Sequence, residues 1–536
     1  METPSNQTSA STYTVREKVD IAWNHFAEVK GADGKKQFKC LHCGISYKGG
    51  GINRMKQHLA GVKGNIAACK KVPHDIRYQM QENLKEILRK KQQHRVDMAL
   101  AMWFFDCCIP FNALTLVYAQ KAVDAITAIG PGYKLPSYHN MRVNLLRDCK
   151  EECRLLIDSY RQTWKETGCT LMANGWTDNR SRTLINFLIY CPRGVAFLKS
   201  IDASDITKDA TTLCSLFTEI VEWVGPESVV QIVTDNAANY KKAGQLLHER
   251  FNNIYWSPCA AHCMNLILKD IGSLPLIEEL AKKASKLTIF CYNHIFILAW
   301  LRRRPGWKEI VRPGATRFAT TFITLKSVHE HHHDLQALIT SKFFMDSKIS
   351  KTSKGKEVVS IVLDLKFWDN CLIISKISGP LIRLLRIVDS DEKISLGYLY
   401  DGMYRARKAN KAMFINVKRS YKPFTTIIKR IWDTQLRQSI HSATYFLNPH
   451  FQFDRENHCQ KAEILQGLEW WKMFGSSASN LQKVAIRILS QTSSSSGCER
   501  NWSVFEQIHS KRQNYLEHQG LNDLVYVRYN LNLKNR

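Results

Sequence analysis

The stretch Cys169-Thr-Leu-Met-Ala-Asn174-Gly-Trp176-Thr177 reads as a short buried strand that ends in a polar turn. Two further strand patterns follow at 183–191 and 195–202, split by Pro192-Arg-Gly194, which is hairpin chemistry. A helix pattern covers 209–223. The apolar run Val229-Val-Gln-Ile-Val233 then ends in Thr234-Asp235-Asn236. A helix at 237–250, a short strand near 254–257 and a helix at 260–272 complete the series. The order β-β-β-α-β-α-β-α predicts an α/β fold. From about 276 to 460 the chain reads as helical, with Leu381, Leu384, Leu385 and Val388 on one helix face. Far downstream, Ser493-Ser-Ser-Ser496-Gly-Cys-Glu499-Arg500 opens another helix.

A chain of 536 residues allows several domains, and a hydrophobic content of 44% fits a globular protein rather than a disordered one. Lys and Arg number 76 against 48 acids, a net charge of +28, so the expected partner is a polyanion. The 16 cysteines are scattered, without the framework of a small secreted domain. No secretory leader and no membrane-spanning run is expected, and the compartment is read as reducing, cytosol or nucleus. Residues 1–14 are polar and read as a disordered tail. Residues 79–160 read as a helical linker region.

Cys40-Leu-His-Cys43 is a thiolate pair at knuckle spacing; His58 lies on a predicted helix over 52–60, and Cys69 follows. Soft sulfur and imidazole donors in a tetrahedral set suit a closed structural Zn²⁺ site. The interval from His58 to Cys69 is long for the common finger, so His74 and His42 remain alternatives for the fourth ligand. Arg54, Lys56 and Gln57 on the helix are candidate base or backbone readers for DNA.

These segments resemble the plant branch of the hAT transposase superfamily. Gly175-Trp176-Thr177-Asp178, Thr234-Asp235-Asn236-Ala237, Pro258-Cys259-Ala-Ala-His262 and Ser496-Gly-Cys-Glu499-Arg500-Asn-Trp502-Ser503 match its motifs in order. The N-terminal unit, 15–78, resembles the BED-type zinc finger fused to such transposases. The resemblance implies an RNase H-like core with a mixed five-stranded sheet, its first strand central and its fourth beside it. The core would begin over 161–275, be interrupted by an all-helical insertion over 276–460, and end within 461–536. That last stretch would also hold the family's dimerisation region. The resemblance makes Asp235 the second and Glu499 the third acid of a nuclease triad, and puts Asn174 where the first acid belongs. It also implicates Arg317, in Thr316-Arg317-Phe318, in DNA contact.

Two-metal phosphoryl chemistry wants anionic oxygens on hard Mg²⁺. An amide at position 174 brings an oxygen but no charge. The expected function is therefore that of a nuclear, dimeric, zinc-finger DNA-binding protein derived from a transposase and lacking its cutting chemistry. The alternative is an active transposase using Mg²⁺ through Asp235 and Glu499. A scaffold that kept the fold for protein assembly is the third reading, and the finger argues against it.

Overall fold

The structure, a computed structural model, describes residues 20–30, 34–49, 51–62, 66–178, 181–312, 318–390, 395–415, 417–449, 475–508 and 518–535. The tail expected over 1–14 and Arg317 lie outside these residues. The chain divides into two compact units with the boundary after Leu135.

In the first unit, β1 (Phe26–Lys30), β2 (Lys36–Cys40) and β3 (Ser46–Lys48) form an antiparallel sheet in that order. Helix α1 (Ile52–Ala60) follows and stops at Gly61, whose φ of 70° is the left-handed cap that glycine adopts without a Cβ penalty. Helix α2 (His74–Asp106) is longer than the run of spaced apolar residues predicts. It packs Met80 into a small core with Ala22, Phe26, Met55 and Leu59. A core this small supplies little stability, so the zinc ion expected from the Cys and His residues would add to it. Helix α3 (Val117–Ile129) completes this unit.

The second unit opens with α4 (Leu145–Asp158) and α5 (Arg161–Thr167). Then come β4 (Cys169–Thr177), β5 (Thr183–Cys191), β6 (Gly194–Asp202), α6 (Ala210–Val224), β7 (Val229–Thr234), α7 (Ala238–Arg250), β8 (Tyr255–Pro258) and α8 (Ala260–Gly272). The sheet order is β6-β5-β4-β7-β8, with β4 central. β4 pairs antiparallel with β5 and parallel with β7, so the sheet is mixed. Ten described helices (α9–α18) lie between Pro275 and Leu447, among them α15 (Leu365–Val388), α16 (Leu396–Met413), α17 (Lys418–Ile431) and α18 (Ser439–Leu447). All but α18 share one large core with α8, while α18 packs Ile440 with Val230 and Leu396 and Leu447 with Ala485 and Leu489. Helices α19 (Ser479–Leu489), α20 (Ser496–Ile508) and α21 (His518–Asn530) close the chain.

Strand alternation sets the two faces of the sheet. Leu171, Ala173, Ile185, Phe187 and Ile232 pack on α6 and α7. Met172, Leu184 and Leu188 face the other way, onto Cys498 and Phe505 of α20 and onto α21. By the same period, Asn174 shares a face with Met172 and is directed at α20. The expected α/β class, mixed five-stranded sheet and long helical stretch are all present.

Candidate functional site

The finger site is built within a short stretch of chain. Cys40 ends β2, Cys43 sits on the turn that follows, His58 projects from α1, and Cys69 precedes α2. Their four ligand atoms lie within 4.8 Å of one another. Cys40 Sγ is 3.9 Å from Cys69 Sγ, and Cys43 Sγ is 3.4 Å from His58 Nε2. The other ring nitrogen, His58 Nδ1, donates to the Ala67 carbonyl and lies 3.0 Å from Tyr47 Oη. That contact fixes the ring with Nε2 facing the sulfurs, as an orienting hydrogen bond does for a metal-bound histidine. Burial pushes the Cys40 thiol up to about 11, with the neighbouring Cys69 adding to the rise. Three sulfurs and one imidazole in a closed, buried group fit a structural zinc ion. His42, an alternative ligand in the sequence, turns instead to His25, 3.2 Å away.

The proposed DNA readers on α1 differ in surroundings. Lys56 is 2% exposed, and its ammonium is held by Asp20 at 2.7 Å and by Asn83. It is therefore engaged inside the finger and not presented to a phosphate. Arg54 and Gln57 are half-buried on the same helix.

The second site forms where β4 and β7 end. Carrying the parallel register two residues past Met172↔Val233 sets Asn174 beside Asp235. Asn174 is 5% exposed, and its Nδ2 donates to Glu499 Oε1 at 3.3 Å. Positions 174 and 499 are thus neighbours in space although 325 residues apart. Asp235 Oδ1 accepts from the Ala237 amide at 3.0 Å, the turn that opens α7. Behind the pair stands Tyr240, whose buried hydroxyl has no hydrogen-bond partner among the described residues. A Cβ on Gly175 would lie 2.9 Å from that hydroxyl, so a larger residue after Asn174 would push the buried ring aside. Burial, and then the negative charge of Asp235, push the Tyr240 phenol far above its ordinary range. Trp176 and Trp502 stack beside the pair at 5.8 Å. Asp178, a conceivable substitute acid, is bound to Arg182 at 2.6 Å on the β4–β5 turn.

Besides its apolar contacts, α20 is tied to the sheet through the chain that enters it, by a buried polar seam that sequence patterns do not reveal. Thr170 Oγ1 donates to Gln491 Oε1 at 2.8 Å, and Gln231 Nε2 donates to both Thr170 Oγ1 and the Thr492 carbonyl. Gln491 Nε2 reaches the Thr167 carbonyl at 3.0 Å. Cys259, of the Cys-x-x-His motif, accepts from the Ser495 amide at 3.3 Å, so this thiol serves the seam. The seam joins four remote segments, at residues 167–170, 231, 259 and 491–495, and delivers Glu499 to Asn174. Its only sequence signal is a polar residue inside each apolar strand, Thr170 and Gln231.

Among the described residues no single helix is long and apolar enough to cross a membrane. Comparison with protein families gives three matches. Residues 32–83 match the BED-like zinc finger, residues 136–287 the domain of unknown function DUF659, and residues 444–531 the hAT family C-terminal dimerisation region. No curated protein matches the chain. A DNA-binding type of finger at the front, a middle domain and a dimerisation region at the end, in that order on one chain, fit an hAT transposase-like protein.

Proposed function

We propose that the chain is a nuclear, homodimeric DNA-binding protein, descended from an hAT transposase, whose RNase H-like core no longer cuts DNA. The central first strand, flanked by an antiparallel hairpin on one side and parallel β7 and β8 on the other, supports the RNase H-like reading. In this reading the helices over 276–460 are an insertion within that core. Zn²⁺ on Cys40, Cys43, His58 and Cys69 holds the finger, and Arg54 and Gln57 of α1 meet the DNA.

One observation carries the loss of chemistry: the Asn174 amide donates a hydrogen bond to Glu499. An acid there would share a cation with Glu499. The amide instead takes up one of the oxygens a metal would need, and the site is one negative charge short. The second reading, an active transposase, rests on the retention of Asp235 and Glu499 around the same pocket.

Metal-dependent nicking of duplex DNA separates the two. With Mg²⁺ or Mn²⁺ the unaltered protein should leave the duplex intact, and Asn174→Asp should gain cutting. Efficient nicking by the unaltered protein overturns the proposal.

A further inference from the structure

From Gly402 to Trp432 the chain carries nine Lys or Arg and no acid. The structure folds this stretch into the second half of α16 and the whole of α17, packed together through Phe414 on Phe424. The exposed cations include Lys408, Lys411, Lys418, Arg419 and Lys422, none of which has an acid within ion-pair reach among the described residues. Lys429 and Arg430, also exposed, pair with Asp433 and Asp270. A depression of about 430 Å³ opens between the two helices, lined by Arg407, Lys411, Lys418, Lys422 and the hydroxyl-bearing Tyr421 and Thr426. Lys418, Lys422, Thr426 and Lys429 follow one another at the spacing of one helix face.

We infer that this α16–α17 hairpin is a second nucleic-acid surface, which grips the phosphate backbone of duplex DNA without reading its sequence. The inference rests on the DNA-binding reading above and assigns it a site outside the finger. A protein with unpaired exposed cations of one sign suffers self-repulsion unless a polyanion meets them. Lysines dominate, and lysine is a point charge suited to phosphate contact, with no fixed fork for a base edge. From Lys418 to Lys429 the row extends about 16 Å at 1.5 Å per residue. A duplex of that length offers roughly nine phosphate charges. The hydroxyls beside the cations supply neutral donors of the kind that phosphate oxygens also accept.

The test uses the full-length zinc-loaded protein and a random-sequence duplex, with binding measured across a salt series. In Lys411→Gln/Lys418→Gln/Arg419→Gln/Lys422→Gln, the slope of log K against log salt should become shallower by about 3.6, at ~0.9 for each of four phosphates no longer neutralised. Affinity at low salt should fall at least tenfold, while the four-arginine counterpart, with Arg419 retained, keeps the slope. All four positions are exposed, and an unchanged thermal melt verifies the fold. An unchanged slope and affinity in the glutamine variant overturns the inference. So does a selective loss of binding to polyglutamate, to single-stranded RNA or to phosphatidylserine vesicles with duplex binding intact. If the unaltered protein binds no duplex at any salt, the DNA-binding reading itself fails; if it binds and the variant equals it, only the second surface fails.

Discussion

The finger and the Asn174 pocket solve the same problem, holding polar side chains at fixed positions, by opposite means. The finger draws its four donors from residues 40 to 69 and, in the proposed reading, relies on a metal to reinforce its small core. The pocket draws Asn174, Asp235 and Glu499 from the ends of three elements and relies on a sheet, two packed faces and a buried polar seam. The first site is local in sequence and depends on an ion. The second is assembled at long range and depends on packing. Removing the ion should dismantle one and leave the other standing.

That contrast gives the largest expected effect. Zinc binding to finger peptides is worth on the order of 10 kcal/mol or more. Chelation, or Cys40→Ser, should therefore abolish amide protection over 20–62 in hydrogen exchange. The sheet of β4–β8, which holds none of the four ligands, serves as internal reference. A finger that stays protected after chelation breaks the comparison.

The locality of each site also decides how much of it is legible in the sequence. Strand and helix limits from 169 to 272 match the periodicity to within about three residues, because every strand but the edge strand β8 is largely buried on both faces and flanked by turn residues. The four finger residues stand out because thiols at knuckle spacing have few other uses. Lys56 does not show its role: a cation on a short helix looks solvated until Asp20 and Asn83 are seen closing over it. The neighbourhood of residues 174 and 499 is reached only through the resemblance, since no local pattern encodes a contact across 325 residues. The seam is hidden for the same reason. Thr170 and Gln231 look like blemishes in apolar strands until Gln491 and Thr492 arrive to pair them.

The next effect probes the long-range side of the comparison by pH. His441 of α18 is fully buried, and its Nδ1 donates to the Leu436 carbonyl. Burial pulls its pKa down to about 4 from 6.5. The unfolded chain therefore takes up the proton first. The stability tied to the neutral ring is intact above about pH 6.5 and is lost as the pH falls toward 4, by about 3 kcal/mol. His441→Asn, which keeps a donor for Leu436 and cannot charge, should flatten that part of the stability profile in urea melts. An equal acid slope in the variant places the titrating group elsewhere.

The seam itself predicts about 2 kcal/mol. Gln231→Leu fills similar space but leaves the Thr492 carbonyl without its donor and Thr170 with only its bond to Gln491, and a buried unmade hydrogen bond costs ~1–3 kcal/mol. Its signature is spatial: exchange should quicken over the start of α20, far from residue 231 in sequence. Exchange that quickens only along β7 shows that the seam does not hold α20.

The smallest effect bears on the pocket's chemistry. Asn174→Asp exchanges an amide that donates to Glu499 for a carboxylate that repels it, at a separation near the present 3.3 Å. Asn174 is buried and Glu499 half-buried, so the variant should lose at least about 1 kcal/mol in metal-free buffer, the scale of a close like-charge pair fully screened by solvent. Millimolar Mg²⁺ should return that loss, because an ion that binds only the folded variant raises its stability by mass action. The unaltered protein, whose amide already satisfies Glu499, should melt at the same temperature with and without the ion. A Mg²⁺-dependent melt in the unaltered protein would mean that two acids suffice to hold the cation. The pocket would then resemble the finger after all, a site completed by its metal.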